Sequence, residues 1–176
     1  MIMPRGQELL LPASPGFIWS SLLLAMFVNM VLGMVADGPS PWVPDLLAVV
    51  LVFWSIHQPR RIGIATAFAF GIAMDIHHTA LLGQHALAYT LLSFGAIMVH
   101  RRLLWFPVTE QAIQVLPLFI VAHAVALLIR MSTGAEFPGW SLLLAPCLES
   151  LTWPLFSILL LAPQRRAPDP DADRPL

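Results

Sequence analysis

The sequence predicts an all-α integral membrane protein in which six transmembrane helices form a compact bundle. The first observation behind this is composition, since 58% of the 176 residues are hydrophobic and only 11% are charged. A soluble domain carries about 25% charged residues, so a water-facing surface cannot be built from this chain. The net charge of -1 excludes a basic nucleic-acid-binding surface, and the single cysteine, Cys147, excludes a disulfide framework and a cysteine-based zinc site.

The second observation is a series of six apolar stretches. A helix needs about 20 mostly apolar residues to cross a hydrocarbon core about 30 Å thick. The first stretch meets this length outright, whereas the second and third reach it only with their flanks. The predicted spans are 17–36, 42–57, 62–76, 82–99, 112–129 and 140–161. They place residues 1–162 in one membrane domain and leave 163–176, which is polar and proline-rich, as a disordered cytoplasmic tail.

The third observation is the distribution of the cations, all nine of which are arginine. With six spans and the N-terminus inside, eight arginines lie on the cytoplasmic side and only Arg130 lies outside. The cytoplasmic set is Arg5, Arg60, Arg61, Arg101, Arg102, Arg165, Arg166 and Arg174. This asymmetry follows the positive-inside rule and predicts cytoplasmic N- and C-termini. A five-span chain would divide the two arginine pairs between opposite sides, so it ranks second.

Small residues four positions apart predict where the helices approach one another, because helices in lipid associate through close backbone packing and buried polar contacts. Gly63, Ala67 and Gly71 form such a row in the third span, and Asp75 continues it. Similar rows in the first and sixth spans include the polar residues Asn29 and Glu149. The predicted helix-packing or partner-contact residues are Asn29, Gly33, Asp45, Gly63, Ala67, Gly71, Asp75 and Glu149.

The carboxylates within the spans are the candidate chemical groups, because a charged side chain at bilayer depth is costly. Glu149 lies near the bilayer midplane, with His123 and Arg130 as possible partners. It could fix helix register, act as a ligand or proton relay, or contact another membrane protein. Asp45 follows Pro44 at a predicted helix start, where free backbone N–H groups stabilise an acidic residue.

Two catalytic or metal interpretations are disfavoured by the local sequence. Asp45 and Asp75 could form an intramembrane aspartyl protease pair, but Asp75 is preceded by Gly71-Ile72-Ala73-Met74 and not by a Gly-x-Gly element. His77, His78 and His85 are residue types that bind zinc. Their spacing is not that of a preformed helical site, so interfacial polar residues at a turn are the favoured interpretation.

The remaining motifs favour a membrane role without catalysis. Four tryptophans, Trp42, Trp54, Trp105 and Trp140, are interpreted as interface anchors. The chain contains no glycine-rich phosphate loop, no Gly-x-Ser-x-Gly and no His-Glu-x-x-His. We therefore predict no enzyme activity and no cofactor, which leaves binding to other membrane proteins, transport of a small solute, or scaffolding.

A family resemblance emerges from the order of several short motifs. Pro44-Asp45 opens an apolar helix that ends with Phe53-Trp54 and is followed by Pro59-Arg60-Arg61. A helix ending Gly71-x-x-x-Asp75 comes next, then Leu82-Gly83-x-x-Ala86-Leu87, and Trp153-Pro154 lies in the last helix. In this order, the motifs resemble those of the rod shape-determining MreD family. The resemblance covers most of the chain and is clearest between residues 44 and 90.

The resemblance implies a non-enzymatic component of the bacterial cytoplasmic membrane that maintains rod shape. Family members work with MreC, a bitopic periplasmic protein, and with the actin-like MreB filament, the RodA glycosyltransferase and its class B transpeptidase partner. The family is also similar in fold to the substrate-binding components of energy-coupling-factor vitamin transporters. A transmembrane helix of MreC is expected to pack against the bundle. Arg60, Arg61, Arg101 and Arg102 are expected to contact lipid headgroups or the filament.

A small-solute-binding transport component is the alternative function. It requires a cavity between the helices, lined on its outer half by groups such as Asp45, Asp75 and His85. For Asp75, a role in hydrogen bonding across helices predicts that Asp75→Asn is tolerated better than Asp75→Leu. Equal loss from both substitutions would indicate a required charge.

Overall fold

The computed structural model describes residues 13–35, 43–78, 81–135, 137 and 139–164. Within these ranges the chain is all-helical, which confirms the predicted six-helix bundle. The six α-helices are α1 (Pro15–Val35), α2 (Leu46–His57), α3 (Ile64–His77), α4 (Gln84–Leu103), α5 (Val108–Ser132) and α6 (Leu144–Leu161). Two short 3-10 helices, Trp140–Leu143 and Ala162–Gln164, flank α6. Most of the predicted tail, residues 165–176, lies outside the described residues.

Helix α2 is the centre of the bundle. Every residue from Leu47 to Ile56 is buried, and α2 packs against α1, α4 and α6. Its 12 residues span only about 18 Å at about 1.5 Å per residue, which is less than a hydrocarbon core. A helix enclosed by its neighbours has little surface to match to lipid. The short second span is thereby explained.

Burial of α2 corrects one interpretation of the tryptophans. Trp54, expected to anchor the interface, is fully buried and donates its Nε1–H to Ser21 Oγ at 2.8 Å. Its indole therefore joins α2 to α1, because a buried N–H in an apolar interior requires an acceptor. Trp105 and Trp140 are exposed, as expected of anchors. Trp42 lies outside the described residues.

Helices α3 and α4 form a close hairpin. Gly71 of α3 lies against the backbone of α4, and a Cβ added to it would lie 2.3 Å from Ala86 Cα. Ala67 is fully buried on the same row. Gly63 departs from the predicted row, since a Cβ there would meet no neighbouring atom within 4 Å. It is the residue before α3 rather than part of the helix, so it lies before the closely packed surface.

The outer surface of the bundle is apolar. Among the described residues, three segments are long and apolar enough to cross a membrane: Pro15–Val35, Val108–Ser132 and Trp140–Gln164. Large hydrophobic side chains such as Leu24, Phe27 and Leu155 are more than 60% exposed. A soluble protein rarely exposes so continuous an apolar surface. Together with the composition, these faces identify a membrane protein.

We expect Gly71→Ala to destabilise the bundle by about 1–3 kcal/mol, the usual cost of overpacking a close contact. The added methyl group must displace the backbone of α4, which cannot move as a flexible side chain can. The measurement is thermal unfolding of the purified protein in detergent. Gly63→Ala is the matched control, because its methyl group enters open space; equal loss in the two variants would contradict the close approach.

Candidate functional site

Five polar side chains meet near the N-terminus of α2. We call Asn29, Asp45, Tyr89, His123 and Glu149 the polar cluster, and the end of the bundle where they lie the cluster end. Asp45 is the N-cap of α2, and its Oδ1 accepts from the N–H of Ala48 at 3.0 Å and from Asn29 Nδ2 at 2.8 Å. Its Oδ2 accepts from the Tyr89 hydroxyl at 2.5 Å. One carboxylate thus joins α1, α2 and α4.

Glu149 extends the polar cluster to α5 and α6. Its Oε1 accepts the backbone N–H of Asp45 at 3.0 Å and lies 2.8 Å from His123 Nε2. The side chain of Glu149 is fully buried, and its Oε2 has no hydrogen-bond partner among the described residues. Of the two possible partners named from the sequence, the imidazole of His123 is the one in contact. Glu149 therefore connects α6 to α5 and to the start of α2.

Asp75 makes a separate set of contacts at the same end. Its carboxylate is fully buried and accepts the backbone N–H groups of Gly83 and His85, each at 2.8 Å, and of Ala86 at 3.3 Å. The ring Nδ1 of His85 lies 2.8 Å from the same carboxylate. Gly83, the N-cap of α4, has no side chain to satisfy these N–H groups. Asp75 performs this capping from α3.

The histidines near this turn pack among themselves. The rings of His78 and His85 stack with centroids 5.5 Å apart, and a Cβ added to Gly33 would lie 2.9 Å from the ring of His78. Burial lowers the pKa of His78, and the neighbouring His85 and His77 lower it further. In the part of the chain that the structure describes, no three His, Cys, Asp or Glu side chains form a metal-binding group.

The two aspartates that a protease interpretation would pair are held by different donors. Asp45 is bound by Asn29 and Tyr89, and Asp75 by the N-terminus of α4. Each carboxylate accepts N–H groups at a helix start, Asp45 at its own helix α2 and Asp75 at the following helix α4.

A cavity of about 220 Å³ opens at the cluster end. Its walls come from five helices, α1, α3, α4, α5 and α6, and from the segments that precede α2 and α6. Asp45 and His85 line it, as expected for a solute site, but Asp75 does not. The polar lining also includes Asn29, His78, Gln84, His123, Arg130 and Ser141, and the apolar lining includes Val43, Met74, Ala126, Leu127, Leu142 and Ala145.

The four arginines predicted to lie on the inner side are at the opposite end of the helices. Arg60 and Arg61 follow α2, and both are exposed. Arg61 nevertheless makes an internal contact, donating from Nη1 to the carbonyl oxygen of Ala13 at 3.0 Å. Arg101 and Arg102 are exposed in the last turn of α4. We call this the arginine end.

Tyr89 is the member of the polar cluster that sequence reasoning missed. It is the only tyrosine in the chain, and it lies one helical turn after His85 on the same face of α4. A single phenol within an apolar helix needs a hydrogen-bond acceptor. That requirement was a usable signal, although it does not identify Asp45 as the acceptor.

We expect Asp75→Leu to destabilise the protein strongly, because it leaves three N–H groups at the α4 N-terminus without their acceptor. Asp75→Asn should lose less, although its amide nitrogen cannot accept, so at least one N–H remains unpaired at a cost of about 1–3 kcal/mol. Thermal unfolding in detergent measures both. His85→Ala is the control, since it leaves the backbone contacts of Asp75 intact and should lower the stability less. If Asp75→Leu is as stable as the wild type, the capping role is contradicted.

Comparison with known proteins agrees with the membrane architecture. The model of the family described as rod shape-determining protein MreD matches residues 13–162. A curated relative, the rod shape-determining protein MreD of Haemophilus influenzae, is 25% identical over 127 residues, covering 70% of this chain and 76% of that protein. No solved structure matches the chain, so the likeness to energy-coupling-factor components stays a prediction. Because the family model matches most of the length of this chain, the chain belongs to the MreD family of rod shape-determining proteins.

Proposed function

We propose that this protein is a non-enzymatic component of the cell-elongation complex in the bacterial cytoplasmic membrane. In this role it binds MreC and helps organise the MreB filament, RodA and the class B transpeptidase for lateral peptidoglycan synthesis. Family membership supports the rod-shape role. In the polar cluster, Asp45 and Glu149 accept from helix-start N–H groups and from neighbouring side chains, a bonding pattern that joins helices and fits a structural role.

The observation that carries the binding proposal is the cavity at the cluster end. It faces away from the arginine end, and so faces the periplasm if the arginines are cytoplasmic. MreC, as a bitopic periplasmic protein, would leave the membrane on this side. A membrane-proximal segment of MreC could place side chains in the cavity while its transmembrane helix packs on an exposed apolar face. The mixed lining, apolar along Leu127 and Leu142 and polar at Gln84 and Arg130, suits such a segment.

Filling the cavity tests this proposal. Ala126 of α5 lines the cavity, and its methyl side chain takes no part in the hydrogen bonds of the polar cluster. We expect Ala126→Phe to reduce co-purification of MreC by about tenfold or more and to cause loss of rod shape, while the protein still accumulates in the membrane. A partner side chain buried in a preformed pocket is a typical binding hot spot, so a ring that already fills the pocket should cost much of the affinity.

The matched control is Val121→Phe, which adds the same ring to an exposed position of the same helix. It should leave MreC binding and cell shape unchanged. Equal MreC co-purification with Ala126→Phe and with the wild type would contradict the cavity as the binding site. Thermal unfolding of both variants separates a binding defect from a folding defect.

Binding of a small solute is the second candidate, and the same cavity favours it. Its polar groups could orient a small molecule, but about 220 Å³ is below the roughly 300–1,000 Å³ of most ligand sites. The partner proposal is therefore preferred. Native mass spectrometry distinguishes the two: a stoichiometric small molecule that is lost in Ala126→Phe would favour the solute.

We expect reporter fusions at Arg60 and at Glu136 to lie on opposite sides of the membrane. The arginine-rich turn should be cytoplasmic and the loop after α5 periplasmic, because eight of the nine arginines fall on one side of the six-span arrangement. Phosphatase and fluorescent reporters read the two sides directly. The same signal from both positions would overturn the orientation and favour a five-span chain.

A further inference from the structure

The turn between α4 and α5 is fixed by buried residues. Leu103, the last residue of α4, is 1% exposed. Gln111, in the first turns of α5, is 5% exposed and donates from Nε2 to the carbonyl oxygen of Phe106 at 3.0 Å. Its Oε1 accepts from Trp153 Nε1 of α6 at 3.3 Å. Because both ends of the turn are held from inside, the residues between them have a defined position.

This fixed turn presents two cations and two aromatic rings around a surface cleft of about 490 Å³, lined by Arg101, Arg102, Trp105 and Phe106. We call it the arginine–aromatic cleft. Trp105 is 89% exposed, more than any other large hydrophobic side chain that the structure describes. Apart from the arginines, the lining is aromatic. An exposed indole beside cations at a helix end is typical of the membrane–water interface.

The two arginine pairs at this end of the bundle differ in what they contact. Arg61 donates to the backbone carbonyl of Ala13, so part of its hydrogen-bonding capacity holds α1 against the α2–α3 turn. Arg101 and Arg102 form no ion pair with any carboxylate of the described residues, where the ion pairs are His85–Asp75 and His123–Glu149. Their guanidinium groups remain available to an external anion.

We propose that the arginine–aromatic cleft binds the headgroup of an anionic phospholipid. The phosphate contacts Arg101 and Arg102, which offer planar, multiple N–H donors to phosphate oxygens. The rings of Trp105 and Phe106 pack against the glycerol and the first part of the acyl chains. The proposed orientation of the protein enters only in the choice of leaflet: with the arginine end in the cytoplasm, the lipid lies in the cytoplasmic leaflet.

The lining favours a lipid over an acidic protein surface. An acidic protein patch would need polar partners around the cations, whereas the cleft offers aromatic walls next to them. A phospholipid combines an anion with an apolar body in the arrangement that the cleft presents. Basic pockets at the cytoplasmic ends of membrane helices bind such headgroups through the same chemistry.

The test is lipid binding by the purified full-length protein, measured by native mass spectrometry in detergent. Phosphatidylglycerol and phosphatidylethanolamine are titrated separately, and inorganic phosphate is added as a competitor. Wild-type protein should bind phosphatidylglycerol at least about tenfold more tightly than phosphatidylethanolamine. R101Q/R102Q should weaken phosphatidylglycerol binding by about tenfold to thirtyfold, since each basic side chain near an anionic headgroup contributes roughly a factor of five.

Three comparisons make the result specific. R60Q removes an exposed arginine at the same end of the bundle and should change the affinity by less than about twofold. R101K/R102K, which keeps the charge but not the planar set of donors, should weaken binding less than R101Q/R102Q does. W105A should weaken binding with both arginines present, since the ring contributes apolar contact. None of these side chains is buried, so thermal unfolding should match the wild type.

Equal phosphatidylglycerol binding by R101Q/R102Q and the wild type would overturn the proposal. So would equal binding of the two lipids, or full competition by millimolar phosphate, which would indicate a free-anion site. If R101Q/R102Q loses MreB co-purification while its lipid binding is unchanged, the cleft binds an acidic protein surface and the lipid proposal is overturned. Lipid affinity does not depend on cell shape or on MreC, so a failure here is distinct from a failure of the proposed function.

Discussion

The interaction on which the bundle most depends is the set of three hydrogen bonds that join Asp45, at the start of α2, to other helices. Its carboxylate accepts from Asn29 and Tyr89, and its backbone N–H donates to Glu149. In lipid the hydrophobic effect does not favour one helix arrangement over another, so packing and specific polar contacts determine it. A buried donor or acceptor without a partner costs about 1–3 kcal/mol, which disfavours any arrangement that separates these groups.

This arrangement also explains why a short helix can lie at the centre. Free N–H groups at a helix start are normally exposed to water or headgroups. In α2, Asp45 caps one of them and Asn29 Oδ1 accepts another, from Leu46 at 3.2 Å. Helix α2 can therefore begin within the bundle and remain buried from Leu47 to Ile56. The same polar groups, held by internal bonds, form part of the cavity wall at the cluster end.

Sequence alone located the helices and three of the buried polar residues, Asn29, Asp75 and Glu149, for clear physical reasons. Apolar length determines a membrane helix, and the cost of a charge in lipid places Asp75 and Glu149 toward protein; both are fully buried. The partners could not be derived, because they depend on distances between helices far apart in sequence. Glu149 contacts Asp45 across 104 positions. A tryptophan near the end of a span predicts an interface anchor, and nothing in the composition shows that α2, which carries Trp54, is enclosed by other helices.

The two ends of the bundle use their polar residues in opposite ways. At the cluster end the carboxylates are bound by internal donors, and what remains open is a cavity with a mixed lining. At the arginine end, Arg101 and Arg102 are exposed and Gln111 is the buried residue that positions their turn. Hydrogen bonds within the bundle fix the shape of the cavity wall, whereas the exposed guanidinium groups are open to anions from outside. A bundle of six helices can therefore present two chemically distinct surfaces, one at each end.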